Sequence, residues 1–144
     1  MQIFSVPVSV HLILVKDNKI LLMKRKNTGF ADGFYSMPAG KLEVGESVID
    51  AIIRETKEEI NIDIDNENLK TVQVMNRKGI DRERIDYFFI SKEWTGTIKN
   101  NEPNKCDDLQ WFNIDNIPNN TIPYIKQALK NYKENIQFSL FGWE

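Results

Sequence analysis

The chain has 144 residues, 41% of them hydrophobic and 28% charged, with a formal net charge of −2. This size suits one domain with a core of its own, so we expect a single domain over residues 1–144. The charge excludes a global basic field, so no polynucleotide partner is expected. The single cysteine, Cys106, excludes an intrachain disulfide and favours a reducing, cytoplasmic location. Residues 1–7 lack the features of a signal peptide, and no apolar run reaches the roughly 20 residues of a membrane span.

The first half of the chain begins with a β-hairpin. Apolar runs at residues 9–15 and 19–24 are separated by an Asp17-Asn18 turn. Residues 26–33 contain turn-forming residues and predict a loop, and residues 34–37 predict a short extended segment. The later predicted elements are a helix at 46–60, strands at 69–75 and 85–90, a polar loop at 94–109, a short strand at 110–112, a helix at 123–132 and an aromatic tail at 137–144. Strands interleaved with two helices indicate an α/β fold with helices packed on a mixed β-sheet.

The predicted helix at residues 46–60 carries the most informative pattern. Positions i, i+3 and i+4 share a helix face, so Glu55, Glu58 and Glu59 converge. They continue the row of apolar residues 48, 51 and 52, which places the acids at the edge of the packed face. Like charges at this spacing cost about 0.2–0.5 kcal/mol per pair, and a divalent cation would offset that cost. The alternative is a solvated helix end on which nearby basic residues pair with the acids.

The spacing of these residues resembles the Nudix hydrolase signature. The Gly, Glu and Arg positions of that signature are occupied by Gly40, Glu46, Arg54, Glu55, Glu58 and Glu59. Thr56 replaces an aliphatic residue, and Asn61 replaces the closing glycine. Because asparagine tolerates the left-handed conformation, Asn61 can still end the helix. The residues around the motif are similar to the MutT-like branch, which implies a Nudix-type α/β/α sandwich around a mixed β-sheet.

The resemblance implies hydrolysis of a nucleoside diphosphate linked to another group, with Mg²⁺ as cofactor and Mn²⁺ as a substitute. The implied metal ligands are the Gly40 carbonyl and the carboxylates of Glu55, Glu58 and Glu59. Glu46 and Arg54 are implied to fix the geometry of the motif, with Arg54 orienting Glu55. In relatives the catalytic base is either a motif glutamate or an acid on a later loop. Glu102 is the first candidate on that loop, and Asp107 and Asp108 are alternatives.

Substrate contacts are expected outside the motif. Lys24 and Arg25, or alternatively Arg82 or Arg84, could bind phosphate. The aromatic candidates for stacking on a base, each of which could instead pack in the core, are Phe34, Tyr35, Phe138, Phe141 and Trp143. Asn120 is the candidate for reading a base edge, although Thr121 falls at the aligned position and asparagine also suits a helix entry. His11 is expected to be a packed residue of the sheet.

The leading hypothesis is a Mg²⁺-dependent hydrolase that converts a nucleoside triphosphate, ordinary or oxidised, to a monophosphate and pyrophosphate. ADP-ribose, dinucleoside polyphosphates and sugar nucleotides are alternative substrates within the same resemblance, and a homodimer is compatible with it. Two other classes of protein stay open: a non-catalytic nucleotide-sensing module and a cation-stabilised structural domain. Isomerase chemistry on isoprenoid diphosphates is set aside, because it needs an early cysteine and Cys106 follows the motif.

Overall fold

The computed structural model describes residues 2–144. Met1, the first residue of the segment in which no signal peptide is predicted, lies outside the described residues. The strands are β1 (Val8–Lys16), β2 (Lys19–Arg25), β3 (Tyr35–Ser36), β4 (Ala39–Lys41), β5 (Lys70–Lys78), β6 (Glu83–Ser91), β7 (Cys106–Asn113) and β8 (Phe138–Phe141). The α-helices are α1 (Val48–Ile60) and α2 (Pro123–Lys133), and a short 3₁₀ turn covers Asn66–Asn68. Neither α-helix is long and apolar enough to cross a membrane.

The strands form one sheet in the order β3-β2-β1-β6-β5-β8, with β4 paired to β1 and β7 paired to β2. The β1–β6 and β5–β8 pairs are parallel. The remaining pairs are antiparallel. The sheet is therefore mixed, which confirms the predicted α/β class.

Apolar side chains of the sheet enter two separate clusters. Successive side chains of β1 point to opposite faces, so Leu12 and Leu14 belong to the cluster that contains α1 residues. Ile13, between them, belongs to the cluster that contains α2 residues. The centre of β1 is therefore buried on both faces, as expected for a strand between two helical layers. This arrangement confirms the predicted α/β/α sandwich.

The helix that carries the motif begins two residues later than predicted. Ser47 is its N-cap, and the Ser47 side chain accepts a hydrogen bond from the backbone N–H of Asp50. Glu46 therefore lies before the helix. The other end agrees with the prediction, because Asn61 has a φ of 66° and closes the helix in the left-handed conformation. Thr56 is fully buried, and its hydroxyl donates to the carbonyl of Ile52 at 2.9 Å.

Two segments differ from their predictions. The predicted loop at residues 94–109 overlaps β7, which begins at Cys106 because it pairs with β2 rather than because of its own sequence pattern. The aromatic tail contains β8, which adds to the sheet beside β5. Asn131 of α2 fastens it, since its amide donates to the Ser139 hydroxyl at 3.1 Å and to the side-chain oxygen of Gln73 at 3.3 Å.

Candidate active site

The candidate site lies where β4 packs against the side of α1 that carries Glu55 and Glu59. Pairing of β4 with β1 places the backbone of Ala39 and Gly40 against this helix. The Ala39 N–H donates to the Glu59 carboxylate at 2.9 Å. The Glu55 carboxyl group lies directly on Gly40, so that a β-carbon at position 40 would overlap it. Gly40 does not have a positive φ, and the glycine is required by this close approach rather than by its backbone conformation.

Arg54 joins the loop before α1 to the helix. Its guanidinium makes a bidentate contact with Glu46, at 2.7 Å from Nε and 3.0 Å from Nη2. Nη1 donates to Glu55 at 2.8 Å and to the more exposed Glu58 at 3.4 Å. Glu46 and Glu55 raise the pKa of Arg54, and Arg54 lowers the pKa of Glu46. The Glu55 carboxyl is thus held between a guanidinium and the backbone of β4.

The carboxyl groups of Glu55 and Glu59, the two inner carboxylates of the site, lie in an environment that disfavours their negative charge. Burial raises the pKa of Glu55, and the hydrogen bond from Arg54 offsets part of that effect. Burial also raises the pKa of Glu59 well above its ordinary value, against the hydrogen bond from the Ala39 N–H. The negative charge of Glu102 raises the pKa of both groups further. Glu102 therefore lies close enough to interact electrostatically with Glu55 and Glu59, although it is more than 40 residues away in the chain.

The loop that carries Glu102 is attached to the carboxyl end of α1. The backbone N–H of Lys99 donates to the Ile60 carbonyl at 3.0 Å, and that of Asn101 donates to the Glu59 carbonyl at 3.1 Å. The last carbonyls of a helix have no partner within the helix, so the loop satisfies groups that would otherwise need water. This attachment brings Glu102 to the carboxylate cluster.

The other candidate bases have different partners. Asp108 accepts hydrogen bonds from the Tyr35 hydroxyl and the Gln110 amide. Asp107 is exposed and pairs with Lys26 at 4.0 Å. Among the three candidate bases, Glu102 is the one whose charge raises the pKa of both Glu55 and Glu59.

The donor set is suited to a hard divalent cation. Carboxylate oxygens together with a backbone carbonyl are the ligands that Mg²⁺ and Mn²⁺ prefer. Within residues 2–144, no three acidic, histidine or cysteine side chains converge closely enough to hold a metal as they stand. The inner carboxylates instead face Arg54 and the Ala39 N–H. Their raised pKa values nevertheless fit a cation, because burial disfavours the negative charge of these carboxyl groups and a nearby positive charge would stabilise it.

The predicted phosphate-binding residues are near one end of β2. Lys24 is half-buried and paired in register with Tyr35. Arg25 donates to the Phe30 carbonyl at 2.7 Å and to the Thr28 hydroxyl at 3.0 Å, so it braces the loop after β2. Its charge opposes the effect of burial, which raises the pKa of Glu59, so Arg25 lies within electrostatic range of that carboxyl group. The alternatives Arg82 and Arg84 both pair with Asp81 on the β5–β6 turn.

The predicted base-binding residues are placed unevenly. Phe34 is 40% exposed, whereas Tyr35 is buried and packs edge-on against Phe112. The Asn120 amide donates to the Gly33 carbonyl at 2.9 Å, and the Asn120 carbonyl accepts from the Tyr35 N–H at 2.7 Å. Asn120 thus ties the segment before α2 to the loop before β3. Its role in reading a base stays a prediction.

The tail aromatics have three different surroundings. Phe138 is 61% exposed. Phe141 packs edge-on against Tyr124 of α2. The Trp143 indole N–H donates to the Asn76 carbonyl at 2.9 Å.

The sequence did not predict the buried ion pair of Arg77 and Asp86, which lies on the face of the sheet that packs against α2. Asp86 is fully buried and accepts from Arg77 at 2.7 Å, and the Arg77 guanidinium lies 3.7 Å from the centre of the Tyr124 ring. His11 lies beside this pair, stacked on Phe88, and burial lowers its pKa to about 4. Alternation along β6 could have suggested that Asp86 faces inward, but its partner depends on the β5–β6 register.

Comparison with known proteins gives a family match over most of the chain. The profile of the NUDIX domain matches residues 6–133. An ADP-ribose pyrophosphatase of Methanocaldococcus jannaschii is 34% identical over 125 residues, which cover 87% of this chain and 72% of that protein. An NAD-capped RNA hydrolase of Stutzerimonas stutzeri is 33% identical over 107 residues, but the match covers only 37% of that protein.

Solved structures show the same architecture. A MutT NUDIX hydrolase of Burkholderia pseudomallei has a TM-score of 0.79 and 26% identity, with 88% of this chain and 98% of that chain covered. A mutator MutT protein of Bacillus halodurans has a TM-score of 0.76 at 20% identity, covering 94% and 90% of the two chains. At 20% identity, the similarity to the Bacillus halodurans protein shows a shared fold only.

Proposed function

This chain belongs to the Nudix family, and on that premise we propose that it hydrolyses a nucleoside diphosphate-linked substrate with the help of Mg²⁺, or Mn²⁺ in its place. The family and its named relatives identify the chain as a pyrophosphohydrolase, an enzyme that cleaves phosphoric anhydride bonds. One observation carries the proposal for this site: Glu55 and Glu59 are held against the backbone of β4, where burial raises the pKa of both carboxyl groups and the charge of Glu102 raises them further. A cytoplasmic location and a homodimer stay predictions.

The proposed mechanism assigns a separate task to each group of residues. The cation would neutralise charge on the bridging phosphates and acidify an attacking water. Glu55, Glu59 and the Gly40 carbonyl would bind it, and Glu58 would join them from its exposed position on α1. Glu102 would accept the proton of the attacking water. Glu46 and Arg54 would hold Glu55 in place, since positioning and charge stabilisation dominate phosphoryl transfer.

ADP-ribose is the first proposed substrate, because the named ADP-ribose pyrophosphatase is 34% identical over most of its length. A nucleoside triphosphate is the second, because the resemblance of the motif and its surroundings to the MutT-like branch implies it, and a MutT hydrolase shares the fold over nearly its whole length. The two have different products. Cleavage of ADP-ribose gives two phosphomonoesters, whereas the triphosphate gives a monophosphate and pyrophosphate.

A coupled phosphate-release assay separates these substrates. Alkaline phosphatase would report products from ADP-ribose, which has no terminal phosphate of its own, and inorganic pyrophosphatase would report products from the triphosphates. We expect Mg²⁺-dependent release that Glu59→Gln lowers by at least about 100-fold. Equal rates for the two proteins, or no release by either over the whole panel, would contradict the proposal. Hydrolysis in ¹⁸O water would then identify the attacked phosphorus.

Metal binding has a readout that does not depend on turnover. We expect Mn²⁺ to raise the melting temperature of the wild-type protein, because a ligand that binds only the folded state stabilises it. Glu59→Gln should lose most of that rise. Asp50→Asn, which removes an exposed carboxylate from the first turn of the same helix, is the matched control and should keep it.

A further inference from the structure

We propose that Asn100 is a positioning residue that holds Glu102 in place for catalysis. The inference rests on the proposed role of Glu102 as the base. Asn100 lies outside the Nudix signature and was not singled out from the sequence. Its side chain is half-buried within the loop that joins β6 to β7.

The Asn100 amide crosses the base of this loop. Its Oδ1 accepts a hydrogen bond from the Glu102 N–H at 3.0 Å, and its Nδ2 donates to the Cys106 carbonyl at 2.9 Å. One side chain therefore binds the backbone of Glu102 and the first residue of β7 at once. The Glu102 carbonyl in turn accepts from the N–H groups of Lys105 and Cys106, at 2.9 and 2.8 Å. Both the N–H and the carbonyl of Glu102 are therefore hydrogen-bonded within this turn.

The same turn is fixed to the rest of the molecule on two sides. On one side, the Asn101 N–H donates to the Glu59 carbonyl, so the residue before Glu102 is bonded directly to a proposed metal ligand. On the other, the Lys26 N–H donates to the Lys105 carbonyl at 2.9 Å. Asn100 thus sets the conformation of a short segment whose two ends are already fixed. Loss of its amide would leave these anchors and the bonds to the Glu102 carbonyl in place, but would release the Glu102 N–H between them.

The consequence for catalysis is specific to Glu102. A general base must lie within hydrogen-bond reach of the proton that it removes, and an error of about 1 Å can cost about 100-fold in rate. Release of the Glu102 N–H should lower kcat more than it raises KM, because the proposed metal ligands and substrate contacts are on other elements.

Asn100→Ala tests the inference, with Asn104→Ala as its matched control. Asn104 is on the same loop and is exposed, and its side chain makes no hydrogen bond to any residue from 2 to 144. We expect Asn100→Ala to lower kcat by about tenfold with KM changed less than about twofold, as a partial loss of general-base catalysis requires. Asn104→Ala should behave like the wild type. Thermal melts establish that each variant is folded.

A double-mutant cycle separates positioning from general support. In a Glu102→Gln background the base is already absent, so Asn100→Ala should cause little further loss of kcat. A loss as large as that seen in the wild type would overturn the inference, because it would show that Asn100 acts on something other than Glu102. Wild-type kcat for Asn100→Ala, or for Glu102→Gln, would overturn it as well.

Amide hydrogen exchange measures the positioning without turnover. Asn100→Ala should speed exchange at the Glu102 N–H, while Asn104→Ala should not. Unchanged exchange at Glu102 overturns the inference whatever the activity. Faster exchange in a protein that hydrolyses no substrate on the panel would support the positioning contact and count against the proposed function alone, so the two failures are distinguishable.

Discussion

At the scale of single residues, the site depends on close contacts among the motif residues. Gly40 and Glu55 touch so closely that the absence of a side chain at position 40 is part of the site. Arg54 contacts carboxylates before the helix and along it, and holds them in one arrangement. Single substitutions at Gly40 and Arg54 test these contacts.

Gly40→Ala should abolish most of the activity. The added methyl group would collide with the Glu55 carboxyl and displace it, and a displacement of about 1 Å can cost about 100-fold in kcat/KM. Gly79→Ala, in the β5–β6 turn and also without a positive φ, is the control and should retain activity. Steady-state kinetics compare the two. A fully active Gly40→Ala protein would show that the Glu55 contact does not matter for turnover.

Arg54→Ala should lower kcat by misplacing Glu55, and Arg54→Lys should rescue little. Lysine cannot reproduce the bidentate contact with Glu46 while also donating to Glu55. We expect a loss of about 100-fold for alanine. Lys57→Ala removes an exposed cation from the same helix and should have almost no effect. Unchanged turnover in a folded Arg54→Ala protein would remove the orienting role of Arg54.

At the scale of elements, α1 is held at both ends, and its C-terminal half presents the acids. Ser47 caps the first turn, and Asn61 ends the last turn in the left-handed conformation. The carbonyls of that last turn also bind the loop that carries Glu102. The end of α1 therefore determines both where Glu59 lies and where Glu102 returns to it.

The closing residue of α1 should be replaceable by glycine but not by alanine. Asn61→Ala should lower the free energy of unfolding by about 1 kcal/mol, because a β-carbon is disfavoured at a φ of 66°. Asn61→Gly should stay within about 0.5 kcal/mol of the wild type, since glycine adopts this conformation without strain. Urea unfolding measures both. An equal loss for the two variants would contradict the conformational argument and would indicate that the 3.3 Å bond from the Asn61 amide to the Thr97 carbonyl, which both variants lack, dominates.

At the scale of the whole molecule, the two faces of the sheet have different polar chemistry. The α1 face carries carboxylates whose pKa values are raised by burial. On the α2 face, His11 lies near the buried pair of Arg77 and Asp86 and is close to Tyr124. Burial lowers the pKa of His11 to about 4, while Asp86 opposes and Arg77 adds to that shift.

Stability should therefore fall in acid through His11. The unfolded chain binds this proton near pH 6.5 and the folded protein only near pH 4, so protonation favours unfolding between those values. The contribution is fully present above pH 6.5 and is lost as the pH falls towards 4, by about 3 kcal/mol at most. His11→Gln should show a shallower fall over this range in urea unfolding. An identical pH dependence for both proteins would contradict the role of His11.

Predictions from the sequence succeeded where the relevant spacing is local. The helical phase of residues 46–60 placed Glu55 and Glu59 at the edge of the packed face, and the structure has them half-buried there. The start of the helix was wrong by two residues, because Ser47 is a better cap than the residues before it. Strands β7 and β8 were missed or shortened, because their partners are β2 and β5 rather than their neighbours in sequence.

The sequence by itself indicated the mixed α/β class and the phase of the acids on their helix, because periodicity along a helix is a local property, and the motif indicated the family by its resemblance to a known signature. Only the tertiary structure decided which later acid joins that motif. Glu102 reaches Glu55 and Glu59 through bonds between its loop and the end of α1, and Asn100 closes the turn that presents it. Such bonds link residues that are distant in the chain, and no local pattern specifies them.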